Sequence, residues 1–238
     1  MNKLIFACAA FGAFGLTAAP AMADAITLDA TSIGTNYTLN YTGFSDGTTI
    51  SGLTGTTTFT LTGISGNDYT FGYSVANTSS SPITASRISS FAFNTNPDIA
   101  AASSTGAFSY TTLNSNYPNG IGNVDVCFKD ASTGSCAGGG SGGLLIGDSG
   151  TGTFTLSFSQ AISSLTLSDF YLRYQSISGA GTITSASGAG TLTGTTSGGT
   201  TVPEPGMLGL LSLGLIGTAL LRRRRHTALS VTARPAFS

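Results

Sequence analysis

The chain has 238 residues, of which 8% are charged, with 9 Lys and Arg against 10 Asp and Glu, 33 Gly, no Trp and one His. Charged residues usually make up about 25% of a soluble domain, so Thr and Ser hydroxyls supply most of the polarity here. Helical bundles need abundant Glu, Lys, Arg and Ala, and nucleic-acid binders need a basic face. The composition fits neither class, and we expect no nucleic-acid partner.

The N-terminal segment has the parts of a secretory signal peptide. Lys3 precedes an apolar run over residues 4–19, and small residues follow just before Asp24. This order of a cation, an apolar region and small residues is typical of secretory signals. We predict a helical signal peptide over residues 1–23, which signal peptidase cleaves between Ala23 and Asp24. A buried N-terminal helix is the alternative, but such a helix should show a polar face.

The middle of the chain alternates apolar residues with Thr and Ser, most clearly in Tyr37–Tyr41, Tyr69–Val75 and Phe154–Phe158. Successive side chains of a strand point to opposite faces, so each run predicts a strand with one buried face and one hydroxyl-rich face. Turn sequences separate such runs, as at Ser45-Asp46-Gly47, Gly66-Asn67-Asp68 and Asn119-Gly120. We predict an all-β ectodomain over residues 24–187, an antiparallel, jelly-roll-like β-sandwich of about eight to ten strands.

A parallel β-helix is the alternative architecture, because it also tolerates much Gly, Thr and Ser. It should show a repeat of about 20 to 30 residues. Gly55–Thr62 and Gly150–Phe158 resemble each other, but no copy stands between them. The sandwich is therefore favoured.

Residues 188–201 are of low complexity and lack aromatic residues. Such Gly-, Thr- and Ser-rich sequence is typical of a flexible, extended linker. We predict a spacer over 188–201, with a last edge strand through Thr191 and Leu192 as the alternative.

Charged side chains are few between Asp24 and Val202, where nine Asp accompany three bases: Arg87, Lys129 and Arg173. The only His is His226, near the C-terminal end, so His-dependent triads and imidazole metal sites are not expected in the ectodomain. A glycosidase needs two carboxyl groups about 5 to 10 Å apart, and no spacing selects such a pair. We expect no catalytic residue, no cofactor and no metal site, and hence no enzyme.

Two features could indicate ligands. Asp46 beside Gly47, and Asp148 beside Gly147, could offer oxygen ligands to Ca²⁺, but an Asp that caps its own turn is the favoured interpretation. Residues 169–175 place Asp169, Tyr171, Arg173 and Gln175 on one strand face. Such a face could bind sugar, yet an ion pair covering the Tyr is favoured.

Cys127 and Cys136 remain after signal removal, which takes Cys8 away. An exported chain meets oxidising conditions, so an even pair nine positions apart predicts one disulfide, whereas a redox site would prefer C-x-x-C. Val126 and Phe128 share one strand face, which places Cys127 on the opposite, outer face or at the rim.

The C-terminal region has three parts in a fixed order: Pro203-Glu204-Pro205, an uncharged stretch over 207–221, and the cluster Arg222, Arg223, Arg224 and Arg225. Fifteen helical residues rise only about 22 Å, short of a hydrocarbon core of about 30 Å. The stretch nevertheless has no polar face, and the arginines can snorkel to the cytoplasmic interface. We predict a transmembrane helix over 207–221 and a cytoplasmic tail over 226–238.

This tail, on a chain with a signal peptide, resembles the PEP-CTERM sorting proteins of Gram-negative bacteria. The resemblance covers 202–225 and implies recognition by a membrane-embedded exosortase, which cuts near the motif and releases or transfers the ectodomain. The extra residues 226–238 depart from the family pattern. Ser81–Asn94, the Cys pair with its Gly run, and Phe170–Ile177 further resemble the cistern subgroup, whose biochemical role is not known.

Together these features predict a protein exported through the inner membrane, transiently anchored in it, and then placed at the cell surface or in the extracellular biofilm matrix with exopolysaccharide. The alternative is a carbohydrate-binding or adhesive module that stays anchored by its C-terminal helix.

Overall fold

A computed structural model describes residues 24–133 and 135–196. Strands make up 64% of it. In chain order they are β1 (Ile26–Leu28), β2 (Asn36–Ser45), β3 (Thr48–Ser65), β4 (Asp68–Asn77), β5 (Ala85–Asn96), β6 (Ala101–Ser104), β7 (Tyr110–Tyr117), β8 (Gly122–Lys129), β9 (Leu144–Leu145), β10 (Ser149–Ser157), β11 (Leu165–Ser178) and β12 (Ser185–Thr196). Two single-turn 3-10 helices accompany them, at Ala30–Ser32 and Gly106–Phe108.

The predicted signal peptide, the membrane span, the sorting motif and the arginine cluster lie outside the described residues. Within the described ranges, no helix has the length and apolar character needed to cross a membrane.

The strands form one sheet in the order β6-β10-β4-β3-β2-β12-β11-β5-β8-β7, with β1 added to β11 and β9 added to β5. The described pairings are all antiparallel. Because the end strands β6 and β7 contact each other, the sheet curls until it is nearly closed like a barrel. The predicted all-β antiparallel fold is confirmed, and the parallel β-helix alternative is wrong.

The inside of the curled sheet is a continuous aromatic core. Phe59 on β3 lies 5.7 Å from Phe91 and 5.9 Å from Phe93 on β5, between ring centroids, although these strands are not neighbours in the sheet. Opposite walls therefore pack directly on each other, as the two layers of a sandwich do. Phe154 lies 4.7 Å from both Phe71 and Phe128, so rings from the three strands β4, β8 and β10 meet. The alternating runs bury their apolar positions, as predicted.

The prediction of a flexible spacer from residue 188 is wrong for 188–196, and so is a domain boundary at 187. These residues belong to β12, which is not an edge strand but lies between β2 and β11. A Cβ at Gly188 would come 2.8 Å from the Tyr174 ring, and one at Gly190 would come 2.8 Å from the Tyr41 ring. Glycine here makes room for large aromatic side chains, and this low-complexity sequence therefore forms a packed strand.

Candidate functional site: a basic layer beneath the disulfide loop

The three bases of the described residues lie on the outer face of β5, β8 and β11, where the loop 130–143 contacts Arg87 and Lys129 and the β7–β8 turn contacts Arg173. Arg87 is 5% exposed, Lys129 1% and Arg173 7%. Lys and Arg are almost never fully buried unless they are paired. We call these three residues and the loop above them the basic layer, and the partners of each base show what the layer does.

Arg87 holds the loop to the sheet. Its Nη1 donates to Asp130 Oδ2 at 3.3 Å and to the Gly142 carbonyl at 3.1 Å, and its Nη2 donates to the Gly139 carbonyl and to Gln175. Asp130 Oδ1 in turn accepts from the Gly139 amide at 3.0 Å. This is the only ion pair found within 24–133 and 135–196, and further hydrogen bonds satisfy both of its members, which a buried pair requires.

The disulfide is a second attachment of the loop to the sheet, in addition to the hydrogen bonds of Arg87. Cys127 on β8 is bonded to Cys136 in the loop, with their Cα atoms 5.8 Å apart. Ser90 Oγ donates to the Cys136 carbonyl at 2.7 Å, and Ser89 Oγ donates to the Ala137 carbonyl at 3.1 Å. The predicted disulfide is confirmed, and so is the outer-face position of Cys127, which packs in a small cluster separate from the aromatic core.

Lys129 makes a different kind of contact, with neutral oxygens only. Its Nζ donates to the Thr112 hydroxyl and to the Thr133 carbonyl. Burial lowers the pKa of Lys129, because the charged ammonium loses hydration there.

Arg173 has no carboxylate partner among the described residues. Its Nη1 donates to the Ala186 carbonyl at 3.1 Å and, with the Asn119 amide turned so that its oxygen faces the donors, to Asn119 Oδ1 at 3.1 Å. Its Nε, like the hydroxyl of Tyr117, has no hydrogen-bond partner among the described residues. Burial lowers the pKa of the Arg173 guanidinium and raises that of the Tyr117 phenol.

The favoured ion pair between Asp169 and Arg173 is not formed. The register of β11 against β5 shifts between Ser168 and Tyr171, and Asp169 sits in that irregularity with a φ of +54°. Its carboxylate accepts from Asn94 Nδ2 at 3.0 Å instead. A bulge rotates a side chain off the alternating pattern, so Asp169 leaves the outer face on which Arg173 and Gln175 remain.

The predicted turn role of Asp148 is confirmed, because Asp148 Oδ2 accepts from the Leu145 amide at 3.1 Å. Asp46 and Gly47 close the β2–β3 hairpin, with φ values of +48° and +74°. No group of three potential metal-ligating side chains occurs in the part of the chain that the structure describes. Asp24, after the predicted cleavage site, accepts from the Leu192 amide at 2.5 Å; Ala23 lies outside the described residues.

Residues 201–225 match the family model of the PEP-CTERM protein-sorting motif. The chain carries a PEP-CTERM sorting motif. The match includes Pro203, Glu204 and Pro205 and extends to Arg225. No curated protein and no solved structure matches the chain. The motif implies that this is an exported protein, processed at the membrane with exosortase as the partner.

The PEP-CTERM motif begins at residue 201, shortly after β12 ends at Thr196. With the three bases buried, the exposed charged residues on the barrel are acids: Asp29, Asp46, Asp68, Asp98 and Asp148. A shallow depression of about 220 Å³ lies beside β9, lined by Thr84, Ala85, Ser86, Leu145 and Ile146. The barrel surface is thus acidic and rich in hydroxyls.

Proposed function

We propose that the barrel is a non-enzymatic structural protein of the cell surface or extracellular matrix, associated with neutral exopolysaccharide. The observation that carries the proposal is the surface itself. Every Lys and Arg of the described barrel is at most 7% exposed, while hydroxyl side chains cover its outer strands. An acidic surface repels acidic polymers and nucleic acids, so a neutral glycan is the compatible partner.

The outer hydroxyls are ordered by the sheet. Thr38 on β2 and Thr58 on β3 lie opposite each other, with Oγ1 atoms 3.2 Å apart, and Thr70 and Thr155 repeat the arrangement at 3.2 Å. Each Thr hydroxyl offers one donor and two acceptor lone pairs, so these pairs keep capacity for further hydrogen bonds. Rows of Thr hydroxyls on neighbouring strands are suited to forming many weak hydrogen bonds along a hydrated polysaccharide.

The proposed route to the surface has three steps. Signal peptidase removes residues 1–23, the span 207–221 then holds the protein in the inner membrane, and exosortase cuts near Pro203-Glu204-Pro205 to release the barrel. The arginines at 222–225 fix the orientation of the span, because cytoplasmic flanks are rich in Lys and Arg.

Intact-mass analysis of the protein from culture supernatant and from the cell envelope tests this route. We expect an N-terminus at Asp24 and loss of Arg222–Arg225 in the released fraction. A species that keeps these arginines in every fraction would mean a permanently anchored protein. Co-sedimentation of the released protein with purified neutral exopolysaccharide, and not with an acidic one, tests the association.

A carbohydrate-binding or adhesive module that stays anchored is the second candidate, and the depression beside β9 favours it. Leu145 is 58% exposed there, next to the polar residues Thr84 and Ser86. An apolar side chain beside hydroxyls suits stacking on a sugar ring. Binding of one defined glycan on an array, lost in Leu145→Asp and kept in Leu53→Ile, would support this candidate.

A further inference from the structure

We propose that Asn119 is a deamidation site, and that the carboxylate formed there becomes the counter-charge of Arg173. Arg173 is a buried guanidinium without a carboxylate partner in the described residues, and its Nε is unbonded. Asn119 is the side chain that contacts it from the β7–β8 turn. An acid at this one position would complete the second buried ion pair of the basic layer.

The local sequence favours the reaction. Asn119-Gly120 is the only Asn-Gly pair in the chain, and a following glycine leaves the attacking backbone nitrogen without steric shielding. Both residues have positive φ, +66° and +75°. Gly120 is exposed, and no atom lies within 4 Å of the place where its Cβ would stand, so the turn has room to rotate toward the reactive geometry.

The surroundings activate the amide carbon of Asn119. Its Oδ1 accepts from Arg173 Nη1 at 3.1 Å and from the Ser187 backbone amide at 2.7 Å. Two donors on one carbonyl oxygen, one of them cationic, withdraw electrons from the carbon and stabilise the negative charge that develops on the oxygen during attack, as an oxyanion hole does.

The reaction balances with water as its only co-reactant. The Gly120 backbone nitrogen bonds to Asn119 Cγ, the Cγ–Nδ2 bond breaks, and ammonia leaves with the proton from that nitrogen. Water then opens the succinimide. Attack at Cγ gives the aspartate, and attack at the main-chain carbonyl gives isoaspartate.

The aspartate product fits the site better than the asparagine does. A carboxylate oxygen accepts both existing donors, and it adds the attraction of two opposite charges to the bond that the neutral amide oxygen already makes with the guanidinium. The titratable groups around Arg173 are Tyr117 on β7 and Tyr171 on β11; burial raises both of their pKa values, so neither adds charge in acid or at neutral pH.

Peptide mapping of the intact exported protein, aged at neutral pH, tests the site. We expect conversion at Asn119 to be severalfold faster than at Asn67, which occupies the β3–β4 turn but precedes Asp68, and we expect aspartate to exceed isoaspartate. Conversion no faster than at Asn67 overturns the proposal.

The variant Asn119→Asp tests the counter-charge separately. Its pairing lowers the folded pKa of the new carboxyl below the unfolded value of about 3.9, so the added stability is present above that value and is lost as pH falls through the folded pKa. We expect the thermal midpoint to rise by about 2–4 °C at pH 7 and by clearly less at pH 3, with Asn67→Asp as the unchanged control. A midpoint at pH 7 equal to or below that of the parent protein overturns the proposal.

Discussion

The two faces of the same strands are built on opposite principles. On β5 and β8 the inward residues, Phe91 and Phe128 among them, join an aromatic core that contains no charged residue. The outward residues Arg87 and Lys129 belong to the basic layer, and Cys127 bonds to its loop through the disulfide. Aromatic packing is largely non-directional and tolerates swaps that conserve volume, whereas the layer depends on individual hydrogen bonds, each costly to leave unmade. Arg87 and Lys129 thus fasten a loop to the sheet, and their charges are not exposed at the surface.

The largest effect should come from the core. Phe154 on β10 packs against six rings: Phe59, Phe71, Tyr73, Phe91, Phe93 and Phe128. Phe154→Ala should lower the free energy of unfolding by about 3–5 kcal/mol, through lost transfer energy and a cavity. Denaturant unfolding followed by circular dichroism measures it. Phe154→Leu, which keeps most of the volume, should cost clearly less; equal losses would mean that the core does not depend on packing.

Breaking the ion pair should cost about 3 kcal/mol, because Arg87→Met leaves the Asp130 carboxylate buried without its partner. The damage should stay in the layer: limited proteolysis should cut within 130–143 while the β-rich spectrum persists. The double variant Arg87→Met, Asp130→Asn removes the stranded charge and should recover part of the loss. A double variant no more stable than the single one would show that the pair is not what holds the loop.

The sequence predicts the two faces unequally. Alternation identifies the core side of β2, β4 and β10, because a strand has a fixed period of two and apolar burial is the dominant driving force. The basic layer cannot be predicted from the hydrophobic pattern of the sequence. Arg87 contacts Asp130 and Gln175 only in the folded structure, because these partners lie 43 and 88 positions away in the chain. The disulfide and the sorting motif can be predicted from the sequence, because the residues that form each of them lie close together in the chain.

Loss of the disulfide should lower the free energy of unfolding less than loss of the ion pair does. The bridge closes a loop of only about ten residues, so Cys127→Ser, Cys136→Ser should cost roughly 2–3 kcal/mol. The core residues Val126 and Phe128 do not depend on the bridge. We expect a lower thermal midpoint, faster proteolysis confined to 129–143 and an unchanged β-rich spectrum. Complete unfolding would make the bridge part of the core, and free-thiol labelling of the native exported protein would show that it does not form.

The smallest expected effect tests whether β12 is a packed strand or a spacer. Glycine should be needed in β12 only where an aromatic ring packs against it, and Gly190 and Gly194 allow this to be compared on one strand. At Gly190 a Cβ would come 2.8 Å from the Tyr41 ring, whereas at Gly194 no atom of the described residues lies within 4 Å of the Cβ position. Adding a methyl group to a filled site usually lowers the free energy of unfolding by about 1–3 kcal/mol. The lower half of that range applies at Gly190, because the Tyr41 ring can shift slightly.

We therefore expect Gly190→Ala to lower the free energy of unfolding by about 1 kcal/mol and Gly194→Ala to leave it unchanged or to raise it, since alanine reduces the conformational entropy of the unfolded chain. Parallel denaturant unfolding of both variants measures the difference. Equal denaturation midpoints for the two variants would mean that residues 188–196 do not pack against the core, and β11 would then be the last core strand. A difference between the variants would instead show that residues 188–196 pack against their neighbours as a strand of the sheet.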